Sequence, residues 1–305
     1  MDLGVGLPTG GTASSTEAIV RIAQGAEQLG YTAVWVYERL LYALGDVAQP
    51  GGPPRPLPKV YESVFEPIAT LAYVAAKTST IRLGTSVIDA PFHVPVVLAK
   101  RLATLDQLSG GRVIAGLGQG WMDQEFQTAN VTRKGLGRRV RENVAALRAV
   151  WGPDPVSFEG RFYTIPPSKI GPKPVQPGGI PIVMGVMAPP AVRRAAQIAD
   201  GLNPIGISHE FLTKVIGQFR ADAAAAGRNP AAVRIMVRAN VPITPDPIDD
   251  EKRPFLGGSP KQIAADLASL LDLEIDHVLF SQMASTSVDD DLRLLEALQD
   301  AAAAI

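Results

Sequence analysis

Few side chains in this sequence are equipped for chemistry on their own. Cysteine is absent, and the three histidines, His93, His209 and His277, lie far apart. That excludes thiolate nucleophiles, disulfides and thiolate metal sites. Without an HxH or HExxH spacing, no metal centre built on histidine is expected. Neither a G-x-S-x-G elbow nor a P-loop is present. The remaining polar residues occur in short runs: Thr9, Glu38-Arg39, Ser86 to Asp89, Gln119 to Asp123, Met187, Asn240 and Ser281-Gln282. Such a set can bind and orient a molecule but supplies little reactivity, which suits an organic cofactor that carries the chemistry itself.

The glycine run Gly116-Leu117-Gly118-Gln119-Gly120 departs from the G-x-G-x-x-G dinucleotide fingerprint and falls in the fourth strand-like segment, not the first. Two uses stay open. The glycines allow tight packing at a strand end, or they bare the backbone so that a flat ring can approach it.

Bulk properties narrow the class. The 305 residues are 46% hydrophobic, ample for a dry core, and 29 Lys plus Arg against 30 Asp plus Glu leave a net charge of −1. Near neutrality speaks against a surface made for nucleic acid or an anionic membrane. No apolar run approaches the ~18 residues that span a bilayer. The start Met1-Asp2-Leu3-Gly4-Val5-Gly6 leads into a strand pattern without a leader's basic n-region. A soluble, cytoplasmic protein acting on a small molecule is expected.

The polar runs need elements to gather them. Strand-like segments are predicted at Leu3–Thr9, Thr32–Glu38, Ile81–Asp89, Arg112–Gly120, Ile180–Val186, Leu202–Gly206, Val233–Val241 and Asp276–Gln282. Helices alternate with them at Thr16–Leu29, Val64–Lys77, Pro95–Leu108, Arg138–Trp151, Pro190–Ala199, His209–Ala226, Ser259–Leu271 and Asp289–Ala303. In the first helix, Ile19, Ile22, Ala23, Ala26 and Leu29 form a 3.6-residue apolar face, Ser14 and Glu17 fit a capping box, and Gly30 fits the exit. Ser259-Pro260-Lys261-Gln262 reads as another capping box.

This alternation predicts a parallel (β/α)8 TIM barrel. A doubly wound open sheet has the same periodicity and stays open as the alternative. One domain is expected, with insertions at about 40–61, 153–180 and 242–258, the middle one holding a short hairpin around Val156–Ile165. Dense proline and glycine there suit a flap over the barrel mouth, or plain surface loops. In a barrel, the strand C-terminal ends carry the active site, and the polar runs fall at those ends.

Several blocks resemble the bacterial luciferase-like monooxygenase superfamily: Thr80–Val87 (TIRLGTSV), Pro91–Pro95 (PFHVP), Leu98–Arg112 (LAKRLATLDQLSGGR) and Val113–Trp121 (VIAGLGQGW), followed by Glu125-Phe126. Ala26–Tyr31 (AEQLGY), Val34-Trp35-Val36, Lys173–Gln176 (KPVQ) and Ala191–Gly201 (AVRRAAQIADG) continue the likeness over about residues 1–210. The resemblance implies a TIM-barrel oxidoreductase using coenzyme F420 or reduced FMN. The block over 80–126 and Lys173–Gln176 look most like the F420-using branches. Hydride transfer between the deazaflavin and a small organic substrate is therefore expected. An FMN-dependent monooxygenase supplied by a separate reductase, and a non-catalytic paralogue that binds the ring, are the alternatives.

The resemblance also assigns residues. Ser86-Val87 matches the family's non-prolyl cis peptide behind the cofactor ring. On position alone Asp89 is a further candidate contact to cofactor or substrate, and on the reading of the glycine run Gly118, Gln119 and Gly120 are candidate cofactor contacts. The phosphate is expected at Met184-Gly185-Val186-Met187, where backbone N–H groups and a helix dipole suit an anion. Here Val186 and Met187 depart from the usual Gly-Gly-Ser pattern, and Pro189 and Pro190 remove two donors.

Glu38-Arg39 stands where F420-using relatives carry Asp-His. Arg39 is the candidate fork for an anionic ring or a substrate carboxylate. Glu38 is the candidate acid/base or the group that orients Arg39. A Glu38–Arg39 ion pair closing the barrel mouth is the plain structural alternative. Trp121 occupies a position that sugar-phosphate-oxidising relatives fill with a carboxylate, and with Asn240 it is assigned to the substrate. His93 is read as structural, Trp35 and Trp151 as core or interface residues. A homodimer is expected through helices near the second and third strands, with Ile68, Leu71, Ala72 and Val74–Ala76 as the apolar flank.

Overall fold

The computed structural model describes residues 1–281 and 287–305. Its central sheet runs β1 (Asp2–Gly6), β2 (Ala33–Val36), β3 (Arg82–Thr85), β4 (Val113–Gly118), β5 (Ile182–Met184), β6 (Gly201–Leu202), β7 (Arg234–Ala239) and β8 (His277–Phe280). Each strand pairs in parallel with the next, and β8 returns to β1 through Leu3↔Val278. That last pairing closes a barrel and rules out the doubly wound sheet. Gln282, predicted at the end of the eighth strand, lies outside the described residues.

Helices α1 (Thr16–Gln28), α2 (Pro67–Ala75), α3 (Pro95–Ser109), α4 (Asp123–Thr128), α5 (Leu136–Trp151), α6 (Pro189–Ile198), α7 (His209–Ala225), α8 (Pro260–Ala268) and α9 (Val288–Ala302) surround the strands. Their ends follow local chemistry. Pro95 opens α3, where no N–H is needed, and Gly110 ends it at φ 68°. The capping box at Ser259 and Gln262 forms as predicted. At α1 the cap is Ser15, whose hydroxyl accepts the Ala18 N–H, while Ser14 Oγ donates to the Gly11 carbonyl one turn earlier. The predicted capping box does not form, because with Ser15 as the cap the residue three places on is Ala18, whose methyl side chain cannot accept from the cap's own N–H.

Period-two alternation sorts the strand residues. Val34 and Val36 pack outward against the helices, whereas Ala33 and Trp35 meet Ile114, Val183, Met236 and Leu279 inside the barrel. The Trp35 indole fits because Gly84 is bare; a Cβ there would overlap the ring. Trp35 Nε1 donates to His277 Nε2 at 3.0 Å, and Thr32 Oγ1 lies 3.4 Å from Nδ1. Burial, reinforced by Arg82, depresses the His277 pKa to about 3, so the imidazole stays neutral. This layer forms a fixed floor below the barrel mouth.

The insertions are more ordered than predicted. The first contains an antiparallel hairpin, Asp46–Gln49 with Gly52–Pro56, and the second contains the expected one, Val156–Glu159 with Thr164–Ser168. The flank predicted for dimerisation is largely used within the protomer, since Ile68, Leu71, Val74 and Ala75 are buried in its own core.

Candidate active site

A cavity of about 400 Å³ opens at the C-terminal ends of the strands. Glu38, Arg39, Ser86, Val87, Asp89 and Gln119 line it, as do Gly120, Trp121, Gly185, Val186, Met187 and Asn240. Gly118 and Met184 do not reach the wall, a correction to their expected role as cofactor contacts. Met184 is buried in the core, 2% exposed, because its place on β5 turns it toward the helices. A Cβ on Gly118 would meet Asp89 Oδ1 and Val87 Cγ2. Gly118 thus makes room for two wall residues without lining the cavity itself. Of the three insertions, the first alone contributes wall residues among those described, Pro50 and Tyr61.

The alternative Glu38–Arg39 ion pair does not form. Successive residues leaving a strand point to opposite sides, and each of these finds another partner. Arg39 Nη1 donates to Glu125 Oε2 at 2.9 Å, and its guanidinium lies 4.8 Å from the centre of the Tyr61 ring and 5.1 Å from that of Trp121. Glu125 Oε1 also accepts the Leu40 N–H at 3.0 Å. Glu38 Oε2 accepts the Asp89 N–H at 3.0 Å, while Oε1 lies 2.8 Å from His93 Nε2. His93 is thus paired with Glu38.

Asp89 ends this network. The short segment Ile88–Asp89 pairs with the end of β4, and Asp89 Oδ1 accepts the Gly120 N–H at 2.8 Å. Burial raises its pKa to about 7, with Glu38 and Glu125 adding repulsion that the Gly120 N–H and Arg39 only partly offset. Acid and carboxylate forms therefore coexist near neutrality.

The third strand leads into a non-prolyl cis peptide between Ser86 and Val87, at the position predicted. Ser86 Oγ donates to Asn203 Oδ1 at 2.7 Å, and Asn203 Nδ2 donates to the Met236 carbonyl at 2.6 Å. Arg238 Nη1 donates to the Ser86 carbonyl at 2.9 Å. At the segment where a phosphate was expected, Gly185 N–H is taken by the Leu117 carbonyl and Val186 N–H by that of Met184, leaving Met187 and Ala188 with N–H groups that meet no acceptor among the described residues.

The model of the luciferase-like monooxygenase family matches residues 1–277. The chain belongs to the luciferase-like monooxygenase family. A Mycobacterium tuberculosis protein described as uncharacterized is 32% identical over 243 residues, 78% of this chain and 76% of that protein. The F420-dependent glucose-6-phosphate dehydrogenase of Mycolicibacterium fortuitum is 32% identical over 187 residues, 59% of this chain and 55% of that enzyme. The fold matches the crystal structure of monooxygenase RslO1 from Streptomyces bottropensis, with a TM-score of 0.81, 23% identity and 98% of each chain covered.

Sequence reasoning missed several wall residues of this luciferase-like barrel: Tyr37, Tyr61, Asn203 and Arg238, with Trp35 in the floor. One signal was available for Arg238. Met236 faces the barrel interior, so the residue two places on must face it too. The Nε atoms of Arg238 and Arg39 and the Tyr37 hydroxyl are buried without a hydrogen-bond partner among the described residues. Arg238 also lacks a carboxylate within ion-pair distance among the described residues, Glu125 pairing with Arg39 and Glu38 with His93. Unsatisfied donors around a cavity fit a ligand rich in acceptor atoms, as a flavin or deazaflavin ring is.

Proposed function

We propose that this luciferase-like protein is an oxidoreductase that transfers a hydride between coenzyme F420 and a small organic substrate. The observation that carries the coenzyme assignment is the 32% identity over 187 residues to the F420-dependent dehydrogenase of Mycolicibacterium fortuitum. The cavity supports it with an apolar floor at Trp35 and Leu279, a wall at Val87, and the unsatisfied donors of Tyr37, Arg39 and Arg238. Bound there, the deazaflavin would supply the hydride acceptor and donor at its C5.

The chain's own residues would place the ring, exclude water and move the proton. Asp89 is the group we assign to the proton. Its Oδ1 is anchored by the Gly120 N–H, which leaves Oδ2 for a substrate hydroxyl, and a pKa of about 7 lets it take or return the proton at neutral pH. Glu38 has both oxygens engaged and holds the Asp89 backbone, so it acts as a positioning residue. Arg238 presents positive charge where a ring or substrate develops negative charge. Trp121 and Arg39, stacked at the mouth, form the substrate wall.

Fluorescence titration of the purified protein with F420 and separately with FMN tests this reading. F420 is expected to bind at least about tenfold more tightly, equivalent to ~1.4 kcal/mol. Preference for FMN would replace the proposal with a two-component monooxygenase fed by a separate reductase. F420 binding without turnover of any alcohol or carbonyl compound would favour a non-catalytic paralogue.

A further inference from the structure

Several arginines on this protein meet carboxylates: Arg21 meets Asp289, Arg101 meets Glu66, Arg148 meets Asp200, and Arg193 meets Asp222. One part of the barrel rim gathers five arginines that do not. Arg138, Arg139 and Arg141 on the first turns of α5, Arg161 in the second hairpin and Arg194 on α6 have no carboxylate at ion-pair distance among the described residues. Their contacts are neutral. Arg141 Nη2 donates to Gln197 Oε1 at 2.7 Å, and Arg139 lies 4.3 Å from the centre of the Phe162 ring with its Nε buried and unpartnered. Arg161 approaches the same ring at 5.9 Å. Neither Glu142, whose Oε2 accepts the Phe162 N–H, nor Glu159 of the hairpin comes within ion-pair distance of these arginines among the described residues.

Cations gathered without counter-charge repel one another, and a bound anion relieves that repulsion. Burial and the nearby Arg141 both lower the pKa of Arg194. The strip begins at the cavity. Arg194 Nη2 donates at 2.8 Å to Oε1 of Gln119, a wall residue, and α6 starts directly after the wall residues Met187 and Ala188. Gly137 lies against the Arg194 guanidinium, which joins α5 to α6 along the rim.

We infer that the strip from Arg194 to Arg161 binds a polyanionic tail, a chain of carboxylates, on the ligand whose ring occupies the cavity. This rests on the F420 assignment: that coenzyme carries glutamyl carboxylates beyond its phosphate, whereas FMN ends at its phosphate. The tail would leave the cavity at Met187 and Ala188, pass Arg194, and run between α5 and the hairpin.

Fluorescence titration tests this with F420 bearing several glutamyl residues and with the tail-less form lacking them. Each is titrated into the wild type and into the triple variant R138Q/R141Q/R161Q, at low salt and near 1 M salt, where the Debye length falls to ~3 Å. All three substituted residues are exposed, and unchanged affinity for the tail-less form verifies that the variant is folded. The tail-bearing form is expected to bind the wild type about tenfold more tightly than the tail-less form. That advantage is expected to vanish at high salt and in the variant. Equal affinity of the two forms for the wild type overturns the strip and leaves the F420 assignment standing. An advantage that survives undiminished in the variant overturns these residues as its source. Tight FMN binding with neither F420 form bound overturns both proposals.

Discussion

Arg39 and Glu125, 86 residues apart, meet at the barrel mouth with Nη1 2.9 Å from Oε2. Their side chains are only 12% and 1% exposed, so the pair is held away from water between Tyr61 and Trp121. It ties the loop after β2 to helix α4, which the sequence pattern had not suggested as an element.

Glu125→Gln removes the charge from this pair while keeping an acceptor for the Leu40 N–H. An uncompensated buried cation is strongly destabilising, and with Arg39 retaining some exposure the expected loss is about 2–4 kcal/mol. Urea unfolding measures it. A midpoint equal to that of the wild type would mean that water compensates Arg39 and the pair contributes little.

Asp89 gives a distinct pH signature. Its carboxyl titrates at about 7 in the folded chain against an ordinary 3.8. The folded protein therefore holds this proton more tightly, and the stabilisation is full below about pH 4 and lost as pH rises through about 7. Asp89→Asn keeps an acceptor for the Gly120 N–H and removes the titration. Relative to the wild type, the variant should gain stability on the order of 4 kcal/mol between about pH 4 and 8. Parallel stability curves across that range would contradict the raised carboxyl.

His277 works in the opposite direction. Its folded value of about 3 lies below the ordinary 6.5, so its contribution is present above about pH 6.5 and lost as pH falls toward about 3. In His277→Gln the side-chain oxygen can still accept from Trp35 Nε1, with no ring to protonate. Circular dichroism during acid titration should show a smaller loss of stability for the variant over that window. A steeper loss would place the acid sensitivity elsewhere.

Arg238→Met retains much of the side-chain volume but removes the cation and its bond to the Ser86 carbonyl. F420 affinity is expected to fall at least about tenfold, equivalent to ~1.4 kcal/mol. Arg238→Lys should recover only part of it, because an ammonium lacks the planar fork of donors. Wild-type affinity in Arg238→Met would reduce the residue to a support for the strand end.

Much of the fold was legible because its signals are local. The 3.6-residue face of Ile19, Ile22, Ala23 and Ala26 produced α1 within a residue or so, and Pro95 and Gly110 bounded α3. The hairpin at Asp46–Gln49 and Gly52–Pro56 was hidden, since proline and glycine mark turns and weaken strand patterns alike. Arg238 was within reach of the alternation that turns Met236 inward, yet an arginine inside a barrel runs against the burial rule. Glu125 stood in the motif block without any hint of its partner.

The amino-acid order alone determined the alternating strand–helix units, the absence of thiol chemistry and the blocks that mark a luciferase-like chain. These depend on residue types and on periodicities that act over a few neighbouring residues. The tertiary structure decided closure of the sheet, the partners of Glu38 and Arg39, the retreat of Gly118 and Met184 from the wall, and the raised carboxyl of Asp89. Ion pairing and desolvation sum over atoms from β2, β3, β4 and α4, which become neighbours only when the barrel closes.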